Sequence, residues 1–120
     1  SLARRYCASL KSCEGIVLPQ EEPGVESVHH VFPVRVEERD AMIASLKERG
    51  VACSVHYPVC LHLQPAFSTL GYRPGDFPVA ERCARTLISL PIYPELTFEQ
   101  VDYVSGAFAE ALASREALAG

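Results

Sequence analysis

Apolar residues recur along this chain at two spacings, which predict helices in some segments and strands in others. The helical spacing occurs in residues 2–13, 38–49, 78–88 and 97–112. β-branched and aromatic residues dominate 28–36 and 51–57, and the Ser-Leu-Pro at 89–91 suits a short strand before a turn. We expect a short helix near 65–70 and a surface connector at 16–27, where Pro, Gly and Glu are frequent.

Residues with special backbone preferences mark where these elements begin and end. Gly15 and Gly50 can close the first and second helices in a left-handed conformation. Pro33 cannot donate to a ladder, so the strand at 28–36 is expected at a sheet edge or with a bulge. Thr97 and Gln100 form a capping box that predicts the start of the last helix.

The last two helices have explicit apolar faces. The third helix begins at Pro78, after Asp76, and its predicted stripe is Val79, Ala80, Cys83, Ala84, Leu87 and Ile88. The stripe of the last helix is Phe98, Val101, Val104, Phe108 and Leu112.

The order of these elements favours a small α+β fold. A βαβ-like unit is expected at 28–57, with further helices after it. A chain of 120 residues fits one domain. We therefore expect a single domain over 1–120, with a leading helix at 1–15, a core at 28–112 and a frayed tail at 113–120.

Composition excludes several classes of function. A formal net charge of −4 argues against nucleic-acid binding, which needs a concentrated basic surface. No apolar run approaches the roughly 20 residues of a membrane-spanning helix, so we expect no membrane partner. Five irregularly spaced cysteines are atypical of a disulfide scaffold, and they favour free thiols in a reducing cytoplasm.

The densest group of polar residues that could carry chemistry lies in the turn at 54–67. It contains His56, Tyr57, His62 and Gln64 around a proline-stiffened bend after a predicted strand. Such a turn can present side chains to a ligand, or it can be a capped turn whose histidines only bond the backbone. The adjacent His29 and His30 leave a similar choice between a ligand contact and a core histidine with a solvated neighbour.

Metal and nucleophile chemistry find little support in the spacing. Cys53, His56, Cys60 and His62 are ligand types that zinc prefers, but their spacing matches no familiar zinc pattern, and we predict no metal site. The helical cysteines fit apolar faces, and the sequence has no nucleophile elbow, P-loop or dinucleotide fingerprint.

A series of motifs in fixed order resembles the carboxy-terminal part of the DegT-type sugar aminotransferases. Residues 26–112 carry the series, which runs from "HVFPVR" through "RDAM", "LKERGV", "HYPVCLHLQP", "LGY" and "GDFPVAE" to "SLPIYPELT". This order is far more specific than any one motif. Two positions depart from the family pattern: Cys60 stands where proline is usual, and Pro33 where a β-branched residue is usual.

The resemblance implies a fold and a context. It implies a two-layer sandwich, a small mixed or antiparallel sheet with helices packed on one face, as in the small domain of fold-type I pyridoxal-phosphate (PLP) transferases. Such enzymes are homodimers that move an amino group from glutamate or glutamine to a keto-sugar nucleotide. The matching positions imply that His56, Tyr57 and His62, with His30 as a weaker match, face the substrate.

The same resemblance limits what this chain can do alone. PLP catalysis needs a lysine that binds the cofactor covalently, and Lys11 and Lys47, the two lysines present, lie outside any family lysine motif. We therefore assign no catalytic residue and expect no cofactor on this chain alone, with PLP held by a large domain or partner chain.

Three hypotheses follow from the sequence. The first is a domain or fragment of a PLP-dependent sugar aminotransferase that is inactive alone. The second is a non-catalytic module that binds a nucleotide sugar, and the third is a self-associating interaction domain.

Overall fold

A computed structural model describes residues 1–119 and contains four helices, three short strands and two 3-10 turns. The helices are α1 (Leu2–Leu10), α2 (Arg39–Glu48), α3 (Pro78–Thr86) and α4 (Phe98–Ala119). The strands are β1 (Ile16–Val17), β2 (Phe32–Val36) and β3 (Leu87–Leu90). The 3-10 turns span Leu61–Leu63 and Pro65–Leu70, and the second confirms the short helix expected near 65–70.

The three strands form one antiparallel sheet in the order β1-β2-β3, which confirms the α+β class. The predicted connector at 16–27 was wrong at its start, where β1 pairs with the end of β2. The strand predicted at 51–57 is also wrong, because only Ser54 pairs there, in an antiparallel bridge with Ser89. The segment 28–57 is therefore not a βαβ-like unit, since no parallel strand follows α2.

Pro33 lies in the central strand, so the expectation of an edge strand is wrong for the sheet as a whole. A proline is tolerated in this strand because β1 pairs only with Arg35 and Val36 and does not extend to Pro33. Pro33 is opposite Ser89, whose backbone N–H and C=O both bond Ser54 instead. The missing N–H of Pro33 therefore removes no ladder hydrogen bond.

The core lies between the sheet and the helices α1, α2 and α4. Phe32, Val34 and Val36 alternate along β2 toward this core, and the Tyr6 ring of α1 stacks on Phe32 with centroids 4.9 Å apart. The fully buried side chains of largest volume are Tyr6, Phe32, Phe108, Leu10, Met42, Leu46, Ile88, Val34 and Val101. On the other side of β2, Arg35 approaches Cys83 of α3.

The third helix is shorter than its predicted stripe. It ends at Thr86, and Leu87 and Ile88 belong to β3, because pairing with β2 extends the backbone there. The predicted stripe of α3 does not face the core, because Val79 is exposed. Of the stripe residues that lie in α3, only Ala84 is buried.

The two ends of α4 follow different rules. The capping box is confirmed, since the Thr97 amide donates to Gln100 Oε1 and the Gln100 amide donates to Thr97 Oγ1. Phe98 is exposed beneath the Arg5 guanidinium, whereas most of the predicted stripe is buried. The helix runs to Ala119, and Arg115 bonds the Glu38 carboxylate, while fraying of the tail from residue 113 stays a prediction. Position 120 lies outside the described residues.

None of the helices within residues 1–119 combines the length and the apolar content needed to cross a membrane.

Candidate functional site

The turn at 54–67 is anchored to the sheet and then projects away from it. Ser54 bridges to Ser89 of β3, and the His56 Nδ1 lies 2.9 Å from the Ser89 Oγ, within hydrogen-bond distance. Tyr57 follows through a cis peptide bond and has 74% of its surface exposed. The sheet therefore fixes His56, while the Tyr57 phenol is left free to contact a ligand or another chain.

An open cavity of about 640 Å³ separates this turn from α3. Its two walls are the turn, with Tyr57 and His62, and one face of α3, with Ala80, Cys83 and Ala84. We call it the turn cavity, and its full lining is Tyr57, Val59, Cys60, Leu61, His62, Gln64, Phe77, Ala80, Cys83, Ala84 and Leu87. The lining is mostly apolar, with an imidazole, a phenol and an amide as its polar groups, a composition typical of small-molecule sites.

His62 is largely enclosed, with 8% of its side chain exposed. Its Nε2 lies 3.0 Å from Glu81 Oε1, and its ring forms a cluster with those of Phe77 and Tyr72, at centroid distances of 4.7 and 6.5 Å. The Glu81 side chain is 12% exposed and also accepts from the amide of Gly75, at 2.8 and 3.0 Å.

The environment of Glu81 favours its ionised form. The Gly75 amide that donates to it lowers its pKa most, and the hydrogen bonds from His62 and from the Phe77 amide act in the same direction. Partial burial opposes these effects, but the net pKa is lowered. Glu81 is therefore a carboxylate at neutral pH and can only accept hydrogen bonds.

His30 lies in a different place from the other predicted residues. It is exposed and lines a second cavity of about 540 Å³, together with Arg4 of α1 and the neighbouring His29. His29 is half-buried, with its Nε2 3.3 Å from Glu21 Oε1. The structure thus brings Tyr57 and His62 together in the turn cavity, places His56 behind them on Ser89, and separates His30 from all three.

The residues considered for zinc are engaged in other contacts. Cys53 packs against the core, and burial raises the pKa of its thiol to about 11, which disfavours the thiolate that a metal would need. His56 bonds Ser89 and His62 bonds Glu81. Within residues 1–119 no group of three or more His, Cys, Asp or Glu side chains is arranged to hold a metal ion.

Two residues of the site were missed by sequence reasoning. Glu81 was part of the quoted "GDFPVAE" motif, and Ser89 of "SLPIYPELT", but neither was assigned a role. Their partners, His62 and His56, are 19 and 33 positions away along the chain. No periodicity connects residues at such separations, so the ordered motifs were the one available signal.

The described residues do not fit PLP as a cofactor of this chain. Covalent attachment requires a lysine in the site. Lys11 follows the end of α1 and Lys47 lies in the last turn of α2, and both are exposed on those helices. Neither lines the turn cavity or the His30 cavity. Neither cavity therefore contains a lysine that could attach the cofactor.

Comparison with known proteins supplies the family. The model of the DegT/DnrJ/EryC1/StrS aminotransferase family matches residues 1–109. The erythromycin biosynthesis sensory transduction protein EryC1 of Saccharopolyspora erythraea is 44% identical over 104 residues, covering 87% of this chain and 28% of the relative. The dTDP-3-amino-3,4,6-trideoxy-alpha-D-glucose transaminase of Streptomyces venezuelae is 40% identical, covering 92% of this chain and 29% of the relative.

A solved structure agrees with these relatives. The fold matches that of S. venezuelae DesV in complex with a ketimine intermediate, with a TM-score of 0.89 at 40% identity. That match covers 92% of this chain and 30% of DesV. The chain thus spans less than a third of the length of these proteins, and it belongs to the DegT/DnrJ/EryC1/StrS aminotransferase family.

Proposed function

We propose that this chain is the carboxy-terminal, small domain of a PLP-dependent sugar aminotransferase. The reaction would transfer an amino group from glutamate or glutamine to a keto-sugar nucleotide. The observation that carries the proposal is the match over nearly the whole chain to one region of the S. venezuelae transaminase, in sequence and in DesV-like fold.

The turn cavity is the part of this chain that would face the sugar nucleotide. An apolar wall can pack against the faces of a sugar or base, while the Tyr57 hydroxyl and the His62 imidazole can hydrogen-bond its polar groups. His56 would support the turn through Ser89. His30, in its own cavity, would contact the substrate only if that cavity also opens toward the rest of the enzyme.

The cofactor and its lysine would belong to the part of the enzyme outside this chain. That larger part is the partner we propose, and this chain alone would be inactive. Five free cysteines support a reducing cytoplasm as its location.

A labelling experiment tests the assignment of the cofactor. The isolated chain is mixed with PLP, scanned for absorbance, reduced with borohydride and mapped by mass spectrometry. We expect no stoichiometric adduct, because both lysines are exposed outside the cavities. Clean labelling of Lys11 or Lys47 alone would show a PLP site on this chain and contradict the proposal.

A chimaera tests the activity itself. The matching region of the S. venezuelae transaminase is replaced by this chain, and amino transfer to the keto-sugar nucleotide used by that enzyme is measured. We expect PLP binding and measurable transfer, with a raised KM when Tyr57→Phe or His62→Gln is introduced. A chimaera that folds and binds PLP but aminates no keto-sugar nucleotide would count against the proposal.

Self-association is a second candidate property, because the turn cavity and the segment beside it expose many large apolar side chains. Exposed examples between positions 57 and 79 are Tyr57, Val59, Leu61, Leu70, Tyr72, Phe77 and Val79. A patch of this kind favours contact with a second copy or with the larger part of the enzyme. A monodisperse monomer at high concentration in light scattering would argue against self-association through this surface.

A further inference from the structure

The segment 58–77 forms one wall of the turn cavity, yet little apolar burial holds it in place. It contains both 3-10 turns, and none of its apolar residues is buried. Its backbone hydrogen bonds mostly close turns within the segment itself. Hydrogen bonds to the rest of the protein therefore decide where this wall lies relative to α3.

Within the described part of the chain, each of those hydrogen bonds involves Glu81. Its carboxylate accepts from the Gly75 amide, from the Phe77 amide at 3.4 Å and from His62 at 3.0 Å. Among residues 1–119, Glu81 is the only side chain outside the segment 58–77 that hydrogen-bonds to it. The one backbone bond that leaves the segment also involves this residue, from the Glu81 amide to the Phe77 carbonyl.

The same contact determines which nitrogen of His62 carries a proton. An ionised carboxylate accepts and cannot donate, so His62 Nε2 must be the donor to Glu81. A neutral imidazole with its proton on Nε2 has a lone pair on Nδ1. The described residues supply no hydrogen-bond partner for that Nδ1, so it is available to a ligand in the turn cavity.

We propose that Glu81 is the positioning residue of the turn cavity: it holds the segment 58–77 against α3 and keeps His62 in the Nε2–H form, with Nδ1 left to accept a hydrogen bond from the substrate. The substrate part of this inference rests on the proposed function. The structural part concerns this chain alone and can be measured without the enzyme's activity.

The first test uses the 120-residue chain with Glu81→Gln, which keeps the size of the side chain and removes its charge. Glu95→Gln is the matched control, because Glu95 is exposed and makes no hydrogen bond to the segment. Nitrogen-15 NMR of the imidazoles reports which nitrogen of His62 is protonated. Amide hydrogen exchange reports how strongly the Gly75 and Phe77 amides are protected by their hydrogen bonds. One-dimensional spectra verify that both variants fold.

The expected result is specific to one variant. In the wild type and in Glu95→Gln, the neutral imidazole of His62 should carry its proton on Nε2 and none on Nδ1. In Glu81→Gln the new amide can donate to Nε2 as well as accept from it, so that preference should weaken. Exchange at Gly75 and Phe77 should be roughly tenfold faster, the factor for losing about one hydrogen bond. An unchanged tautomer with unchanged exchange would overturn the proposal.

The second test uses the chimaera with the S. venezuelae transaminase. If Glu81 positions His62 for the substrate, Glu81→Gln should raise KM for the keto-sugar nucleotide roughly tenfold with little change in PLP absorbance. An unchanged KM would overturn the substrate role. A chimaera that is inactive even with Glu81 intact would count against the proposed function, while the NMR result on the chain would still decide the positioning role.

Discussion

Two tyrosines make the same hydrogen bond in different surroundings, and the comparison tests how burial sets its value. The Tyr6 hydroxyl donates to the Pro91 carbonyl at 2.8 Å, and the Tyr103 hydroxyl donates to the Arg49 carbonyl at 2.8 Å. Tyr6 is fully buried, whereas Tyr103 is 61% exposed. Burial raises the pKa of the Tyr6 phenol, so its hydroxyl keeps its proton and remains a donor.

Replacing each tyrosine by phenylalanine removes the hydroxyl and keeps the ring. For Tyr6→Phe, the stacking on Phe32 should survive, but the Pro91 carbonyl loses a partner in a part-buried place. We expect a loss of about 1–2 kcal/mol in the free energy of unfolding. For Tyr103→Phe, water can replace the hydroxyl at Arg49, so the loss should stay below about 0.5 kcal/mol.

Urea unfolding followed by circular dichroism measures both variants beside the wild type. Thermal unfolding gives a second reading, at about 4–6 °C for each kcal/mol in a domain of this size. Equal losses for the two variants would refute the reasoning that burial sets the cost. A Tyr6→Phe variant as stable as the wild type would show that the hydroxyl is not bonded to Pro91 in solution.

Three further predictions concern titration, reactivity and capping. The pKa of Glu81 is lowered in the folded chain, so the ionised Glu81 holds the segment 58–77 fully above the ordinary carboxyl value of about 4.5. This stabilisation is lost as pH falls through the lower pKa of the folded chain. In NMR the chemical shift of the Gly75 amide should follow that titration, and it should not do so in Glu81→Gln. The Cys53 thiol, with a pKa of about 11, should be alkylated at pH 8 roughly a hundredfold more slowly in the folded chain than after denaturation. Mass spectrometry can measure both rates, and equal rates would contradict the burial of Cys53. Thr97→Ala should cost about 1 kcal/mol of stability in urea unfolding because it removes the cap of α4, while Thr69→Ala on the exposed second 3-10 turn should cost little. A Thr97→Ala variant as stable as the wild type would mean that the cap does not stabilise the helix.

The fold was predictable where the signal was local. Gly50 does have the positive φ expected of a helix terminator, and Thr97 with Gln100 does cap α4. These features depend on a few neighbouring residues and their backbone preferences, which do not change with the rest of the fold. The ordered motifs likewise identified the family, because their order is a property of the sequence itself.

The fold was not predictable where distant strands compete for the same residues. Leu87 and Ile88 continue the apolar spacing of α3, but they belong to β3 because their backbone groups pair with β2. The two-residue strand β1 has too few positions for any alternation to appear in the sequence. Pairing between segments far apart along the chain is decided by the assembled sheet and not by local propensity.

The sequence by itself determined the family, the α+β class and the turn at 54–67 as the place of interest. Only the tertiary structure decided which of its candidates share a site: Tyr57 and His62 line one cavity, His30 lines another, and His56 is bonded to Ser89. It also revealed Glu81 as the partner of His62. The physical reason is that such contacts join residues brought together by chain folding, and spacing along the sequence carries no record of them.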